Sequence, residues 1–232
     1  MTINSKSNFL NNLKGHNGFS IIEILMALVL LVVIFTMIPF GNSETQRQKM
    51  EHTMAKFDRT IAFSTSESIL RNTIVRIKID PSQEPMEYSV EYGQGSNMVL
   101  PQTKDFTRLS LKEREQELEK SKKLDSQFSK TEEFLESNEA IPEGISVYAL
   151  GTTYRNDLLI DGPFYIYFYP TGEKDNTILI MNSVEEMATL AISPFEEKTV
   201  DEYFPFSESD LANLDYALEN KAKEVFEKWL KK

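Results

Sequence analysis

Cysteine is absent from the 232 residues. A disulfide framework, a thiolate nucleophile and a cysteine-based zinc site are therefore all excluded. Histidine occurs only twice, as His16 and His52, and neither has a metal-ligand partner at helical spacing. No G-x-S-x-G, no phosphate-cradling glycine loop and no H-E-x-x-H is present, so no enzyme and no cofactor is expected. Basic residues are in deficit, with 25 Lys plus Arg against 36 Asp plus Glu and a net charge of −11. An acidic chain repels the phosphate backbone on which non-specific nucleic-acid binding depends. Asn156, Asp157 and Asp161 share one loop, and Asp157 and Asp161 are weak candidates for a metal ligand pair. Their spacing is not that of an EF-hand, and no metal is expected.

The apolar content, 41% of all residues, is ordinary in amount and uneven in placement. From Phe19 to Phe40 the sequence reads FSIIEILMALVLLVVIFTMIPF, 22 residues in which Glu23 is the only charge. As a helix this run is about 33 Å long against a hydrocarbon core of about 30 Å, so one membrane span is expected. It is too long for a secretory signal peptide, and Pro39-Phe40-Gly41-Asn42-Ser43 after it has no A-x-A cleavage pattern. Lys6 and Lys14 precede it without an acidic residue, which places residues 1–18 in the cytoplasm and the C-terminal remainder outside.

A plain anchor leaves Glu23 unexplained. A carboxylate in a spanning helix costs about 2.5 to 3.5 kcal/mol at the bilayer centre, less near an end, where the side chain reaches toward the headgroups. A cation would offset that cost, and the leader supplies one only if it is cut. Cleavage after Gly18 creates an α-amino group on Phe19, four residues before Glu23. In lipid, where little water screens the attraction, that amine in one copy would pair with Glu23 of a neighbour.

The run Gly18-Phe19-Ser20-Ile21-Ile22-Glu23-Ile24-Leu25, with a short basic leader before it and an unbroken apolar stretch after it, resembles the prepilin signal of type IV pilins and type II secretion pseudopilins. The resemblance implies a prepilin peptidase that cuts after Gly18 and methylates Phe19, and a Glu23 that guides subunits into a filament. It further implies other major and minor pseudopilins as partners. Phe57-Asp58-Arg59 and Ser66 to Asn72, leading into Val75-Arg76-Ile77-Lys78-Ile79, together with Phe168-Tyr169-Pro170-Thr171-Gly172, are similar to the H-type minor pseudopilin (general secretion pathway protein H). That likeness covers residues 1–92 and 145–200. An acidic loop in the family's major subunit binds calcium, which is what draws attention to Asp157 and Asp161. Some H-like pilins take up DNA, but losing Lys6 and Lys14 with the leader moves the charge from −11 to −13.

Met50, Met54, Phe57 and Ile61 recur at helical spacing, so a helix from about Ser20 to Arg71 is expected, half anchor and half amphipathic spine, kinked at Pro39 and Gly41. Period-two alternation follows in Val75–Ile79 and Met86–Tyr92, an antiparallel hairpin around Asp80–Pro85. Further strands are expected at 145–150, 164–169, 177–181 and 187–192, with Tyr165, Tyr167 and Tyr169 forming a surface row and 171–174 joining two of the strands. Lys104–Glu139 carries 18 charges in 36 residues, the composition of an exposed helical insertion. Leu211, Leu214, Leu218, Ala222, Val225 and Trp229 predict a C-terminal helix capped by Ser207 or Ser209.

The chain thus divides into a leader (1–18), an anchor (19–40), a periplasmic spine (41–72), a sheet domain (73–206) with the insertion 104–139, and a C-terminal helix (207–232). The fold class is α+β, a pilin-like long N-terminal helix packed on antiparallel sheet. The resulting expectation is a minor pseudopilin of the type II secretion system, anchored in the bacterial inner membrane with its C-terminal domain in the periplasm. A type IV pilus minor pilin, and a membrane-anchored periplasmic binding module that never polymerises, are the alternatives.

Overall fold

The structure, a computed structural model, describes residues 20–37, 45–96, 109–131 and 139–231. The chain separates into two units, one within Met1–Ser43 and the other within Glu44–Lys232. In the first, α1 runs from Ile21 to Met37 over 17 residues, about 25 Å. Among the described residues no helix is long and apolar enough to cross a membrane; the ends of the expected Phe19–Phe40 span, with Pro39 and Gly41, lie outside them.

The second unit opens with α2, Gln46–Leu70. It does not continue a helix begun at Ser20, as the sequence suggested. Thr45 has extended backbone (ψ 154°), and its side chain accepts from the Gln48 N–H while the Gln48 side chain accepts from the Thr45 N–H. This reciprocal cap starts a new helix. At the far end Arg71 closes α2 and Asn72 turns left-handed at φ 50°, a conformation asparagine tolerates better than most residues. The expected stripe is the buried one: Met50, Met54, Phe57 and Ile61 are at most 3% exposed.

Two antiparallel sheets follow. The first has the order β3-β2-β1-β6, with β4 also on β2; its members are β1 (Val75–Asp80), β2 (Glu87–Gly93), β3 (Phe128–Lys130), β4 (Glu139–Ala140) and β6 (Phe164–Phe168). The second has the order β5-β7-β8-β9, from β5 (Ser146–Thr152), β7 (Thr177–Asn182), β8 (Glu186–Ile192) and β9 (Val200–Pro205). The β1–β2 hairpin pairs Val75 with Tyr92 and Ile77 with Val90, as the alternation required. The turn at Gly172 (φ 83°) does join β6 to β7, but these strands do not pair; the chain crosses there from one sheet to the other. β9 was not expected, because Val200-Asp201-Glu202-Tyr203-Phe204-Pro205 alternates only weakly.

Both sheets turn one face to α2 in a shared core: Ile77, Val90, Phe164, Ile166 and Phe168 from the first sheet and Leu179, Met181, Leu190 and Ile192 from the second meet the α2 stripe. The opposite faces are covered as well. Over the second sheet lies α5 (Leu214–Leu230), which buries Leu218, Ala222 and Phe226 on Ile178, Ile180 and Met187. The predicted C-terminal helix is thereby corrected: Ser207 caps only the short α4 (Glu208–Leu211), the chain restarts at Leu214, and Phe226 rather than Leu211 is buried. Gly151 is needed under α5, since a Cβ there would lie 2.5 Å from the Phe226 ring.

Over the first sheet lies the end of α3 (Leu111–Asp125), which begins with a Ser110–Glu113 capping box and buries only Leu124. The charged insertion is therefore not just an exposed excursion: β3 and β4, from the same stretch, extend the sheet along β2. The tyrosine row is corrected for the same reason. Tyr165 and Tyr167 are 5% exposed and pack with Ile74, Leu124 and Phe128. A strand covered on both faces reads as a continuous apolar and aromatic run, which is what FYIYF is.

Candidate functional site

The carboxylate singled out in the sequence, Glu23, lies in the first turn of α1. The helix forms there because the Ser20 carbonyl accepts the N–H of Glu23 at 2.9 Å and that of Ile24 at 3.1 Å. A carboxylate so placed meets the positive end of the helix dipole. Beyond it, the large aliphatic side chains from Ile21 to Ile34 are 48 to 82% exposed. A helix that is apolar on every face is one that lipid or other helices surround. Gly18 and Phe19, the proposed cleavage and methylation positions, lie outside the described residues, as do the kink residues Pro39 and Gly41.

Asp157 and Asp161 fall in the loop between β5 and β6, where each has an arginine neighbour: Arg155 Nε is 3.5 Å from Asp157 Oδ1, and Arg114 Nη2 is 3.9 Å from Asp161 Oδ2. Asp161 Oδ1 also accepts the Gly162 N–H at 2.8 Å. Among the described residues no group of three or more His, Asp or Glu side chains is gathered to hold a metal ion.

The densest electrostatic feature lies under α3. Arg76 on β1 is fully buried and stands directly opposite Glu91 on β2. Its Nε and Nη2 donate to Glu91 Oε2 at 2.8 and 2.5 Å. Nη2 also donates to Asp125 Oδ1 at 2.5 Å, while Lys78 Nζ donates to Asp125 Oδ2 at 2.6 Å. The guanidinium sits 3.8 Å from the Phe128 ring centroid and 4.7 Å from that of Tyr165, a favourable placement over aromatic faces. Burial works to raise the Asp125 carboxyl, but the bonds from Lys78 and Arg76 outweigh it and hold the group below the ordinary carboxylate range. Burial likewise pushes up the Tyr165 and Tyr167 hydroxyls, the latter to about 12. This cluster ties the C-terminal end of α3 to the sheet. The sequence placed Arg76 and Glu91 on the two strands of one hairpin without pairing them, which the register does; Asp125, 34 residues further along, carried no signal.

A second buried carboxylate went unnoticed in the sequence. Asp175, on the crossover from β6 to β7, is 8% exposed and accepts from the Tyr167 N–H at 3.1 Å and the Tyr169 hydroxyl at 2.9 Å. Burial nevertheless pushes its carboxyl up to about 6.

No family model and no curated protein matches the chain. Two solved structures of the minor pseudopilin EpsH from the type II secretion system of Vibrio cholerae are similar to it. One is 9% identical, with a TM-score of 0.37, covering 66% of this chain and 99% of that one. The other is 11% identical, with a TM-score of 0.35, covering 67% and 95%. An overlap that loose transfers neither topology nor function to this chain.

Proposed function

We propose that this chain is a pseudopilin-like subunit, a minor pseudopilin of a type II secretion system that is processed after Gly18, held in the inner membrane by the apolar run and carried into a periplasmic filament with other pseudopilins. The observation that supports it above all is the order Gly18-Phe19-Ser20-Ile21-Ile22-Glu23 at the edge of the apolar run, with Glu23 in the first turn of a helix whose aliphatic side chains face outward on all sides. The subunit catalyses nothing; it works by moving an apolar helix from lipid into a helical bundle. In that transfer Glu23 pairs with the Phe19 amine of a neighbouring copy, where low screening makes the attraction count.

Co-expression with a prepilin peptidase tests the reading. Mass spectrometry of the product should show a chain that begins at a methylated Phe19, and Gly18→Ala should leave the leader in place. Glu23→Leu should still be cut but fail to enter filaments. An uncut wild-type leader would instead identify a membrane-anchored binding module.

A further inference from the structure

Among the described residues β9 is the outer strand of its sheet, paired only with β8. Its orientation follows from the register. Pro205 stands opposite Glu186, and the next pair is closed by the Phe206 N–H donating to the Glu185 carbonyl at 2.9 Å. In an antiparallel ladder the hydrogen-bonded residues alternate along each strand, so Phe206, Phe204, Glu202 and Val200 turn their backbone groups to β8. The N–H and C=O of Asp201 and Tyr203 then face outward. Pro205 belongs to the same outward set, and its missing N–H is missing on the open side, where a sheet tolerates proline.

Two clefts flank this open edge, one above and one below the sheet. On the α5 side a cleft of about 440 Å³ is lined by Ile178, Ala191, Phe204, Val225 and Trp229 together with Glu196, Glu202 and Lys228. On the α2 side a cleft of about 350 Å³ is lined by Glu51, Asp58 and Asp201 together with Lys198 and Tyr203. A strand laid along β9 would send its side chains alternately into the two. The first offers apolar side chains from sheet and helix beside its charged ones. The second carries three carboxylates to one ammonium, of which Glu51 is already paired with Arg47 and Asp58 and Asp201 remain for a basic partner.

A second copy of β9 does not suit this edge. Antiparallel self-pairing about Glu202 or Asp201 sets that residue against its own copy, and like charges directly opposite destabilise a ladder. Centred on Tyr203, it sets Asp201 against Pro205, which has no N–H and whose carbonyl already accepts from Lys221 Nζ at 3.0 Å. We propose that β9 is a docking edge for an extended segment of another polypeptide that alternates aliphatic and basic residues, added to the sheet as a further strand. The aliphatic side chains enter the α5-side cleft and the basic ones lie over Asp58 and Asp201. Main-chain bonds to Asp201 and Tyr203 supply the affinity, and the two clefts supply the choice of partner.

Hydrogen exchange followed by mass spectrometry on the full chain in detergent micelles tests this, with the capped hexapeptides Lys-Val-Lys-Val-Lys-Val and Glu-Val-Glu-Val-Glu-Val as probes at millimolar concentration. Without peptide the β8-facing amides of β9 should exchange slowly and the outward ones fast. The lysine peptide should protect about two further amides in residues 199–206 and bind at least about fivefold better than the glutamate peptide. Asp201→Lys, an exposed position, should reverse that preference. The proposal fails if the lysine peptide protects no β9 amide, if both peptides protect equally, or if β9 becomes protected with protein concentration alone. None of these outcomes bears on cleavage at Gly18, which is read from the N-terminal mass.

Discussion

Arg76 is the residue on which the first sheet depends most. With its side chain fully buried and bonded to both Glu91 and Asp125, removing it leaves Glu91 without its counter-charge and Asp125 with Lys78 alone. Breaking a buried pair in this way costs about 3 to 5 kcal/mol. Arg76→Met should therefore lower the urea midpoint sharply, and the Arg76→Met/Glu91→Leu double variant should recover much of the loss, because an apolar pair of similar shape leaves no uncompensated charge. Asp175 sets a pH dependence of opposite sense to the usual one. Its folded value of about 6 lies above the ordinary 3.8, so the folded state binds the proton more tightly than the unfolded state. The stability tied to this group is complete below about pH 4 and is lost as the pH rises through 6, amounting to about 2 to 3 kcal/mol. Asp125 and Glu67, both held below their ordinary values of 3.8 and 4.5, act the other way and only in more acidic solution. Unfolding titrations from pH 4 to 7 should show the wild-type midpoint falling with pH, and Asp175→Asn should remove most of that slope.

Among the elements, α5 makes the clearest statement about packing. It is held to the second sheet by Leu218, Ala222 and Phe226, and Phe226 closes over Gly151. The methyl of Gly151→Ala would meet the ring at 2.5 Å and the Ile178 Cγ2 at 2.8 Å. Strand and helix must separate to admit it, a strain of about 1 to 3 kcal/mol. Trp229, the only tryptophan, stacks on Phe226 with ring centroids 5.9 Å apart, so its fluorescence reports α5 directly. In Gly151→Ala the emission should shift to longer wavelength at a urea concentration below the global transition, whereas an unchanged spectrum and midpoint would mean that the helix shifts to accept the methyl without loss. The hairpin, the α2 stripe and the strand at 177–182 were legible in the sequence because their periodicities are local. α5 was legible as a helix and in most of its covered face, since Leu218 and Ala222 are buried with Val225 and Trp229 packed beside them. Leu211 falls outside it because the helix restarts after that residue, and Phe226 joins it only because the sheet beneath reaches that far round.

At the scale of the whole molecule, the three apolar clusters among the described residues are built from residues between Met50 and Trp229. Residues 44–232 expressed alone should therefore unfold in one cooperative transition, with a hydrogen-exchange-protected core in α2, β1, β6, β7 and β8. Residues 1–43 should add membrane partition and no core; if their removal abolished the transition, the described core would be incomplete.

The sequence by itself determined the α+β class, the apolar run with its single carboxylate, the helical stripe of α2 and the period-two strands, since each is a pattern written within a dozen or so neighbouring residues. Which strands share a sheet was decided only by the tertiary structure. The chain leaves the first sheet for β5, returns for β6 and crosses again to β7 because that threading lets α2 bury one face of both sheets at once. Burial of the tyrosine row under α3, the Arg76–Asp125 tie and the open edge of β9 follow from that threading. They depend on surfaces and charges far apart in the chain, which no local spacing encodes.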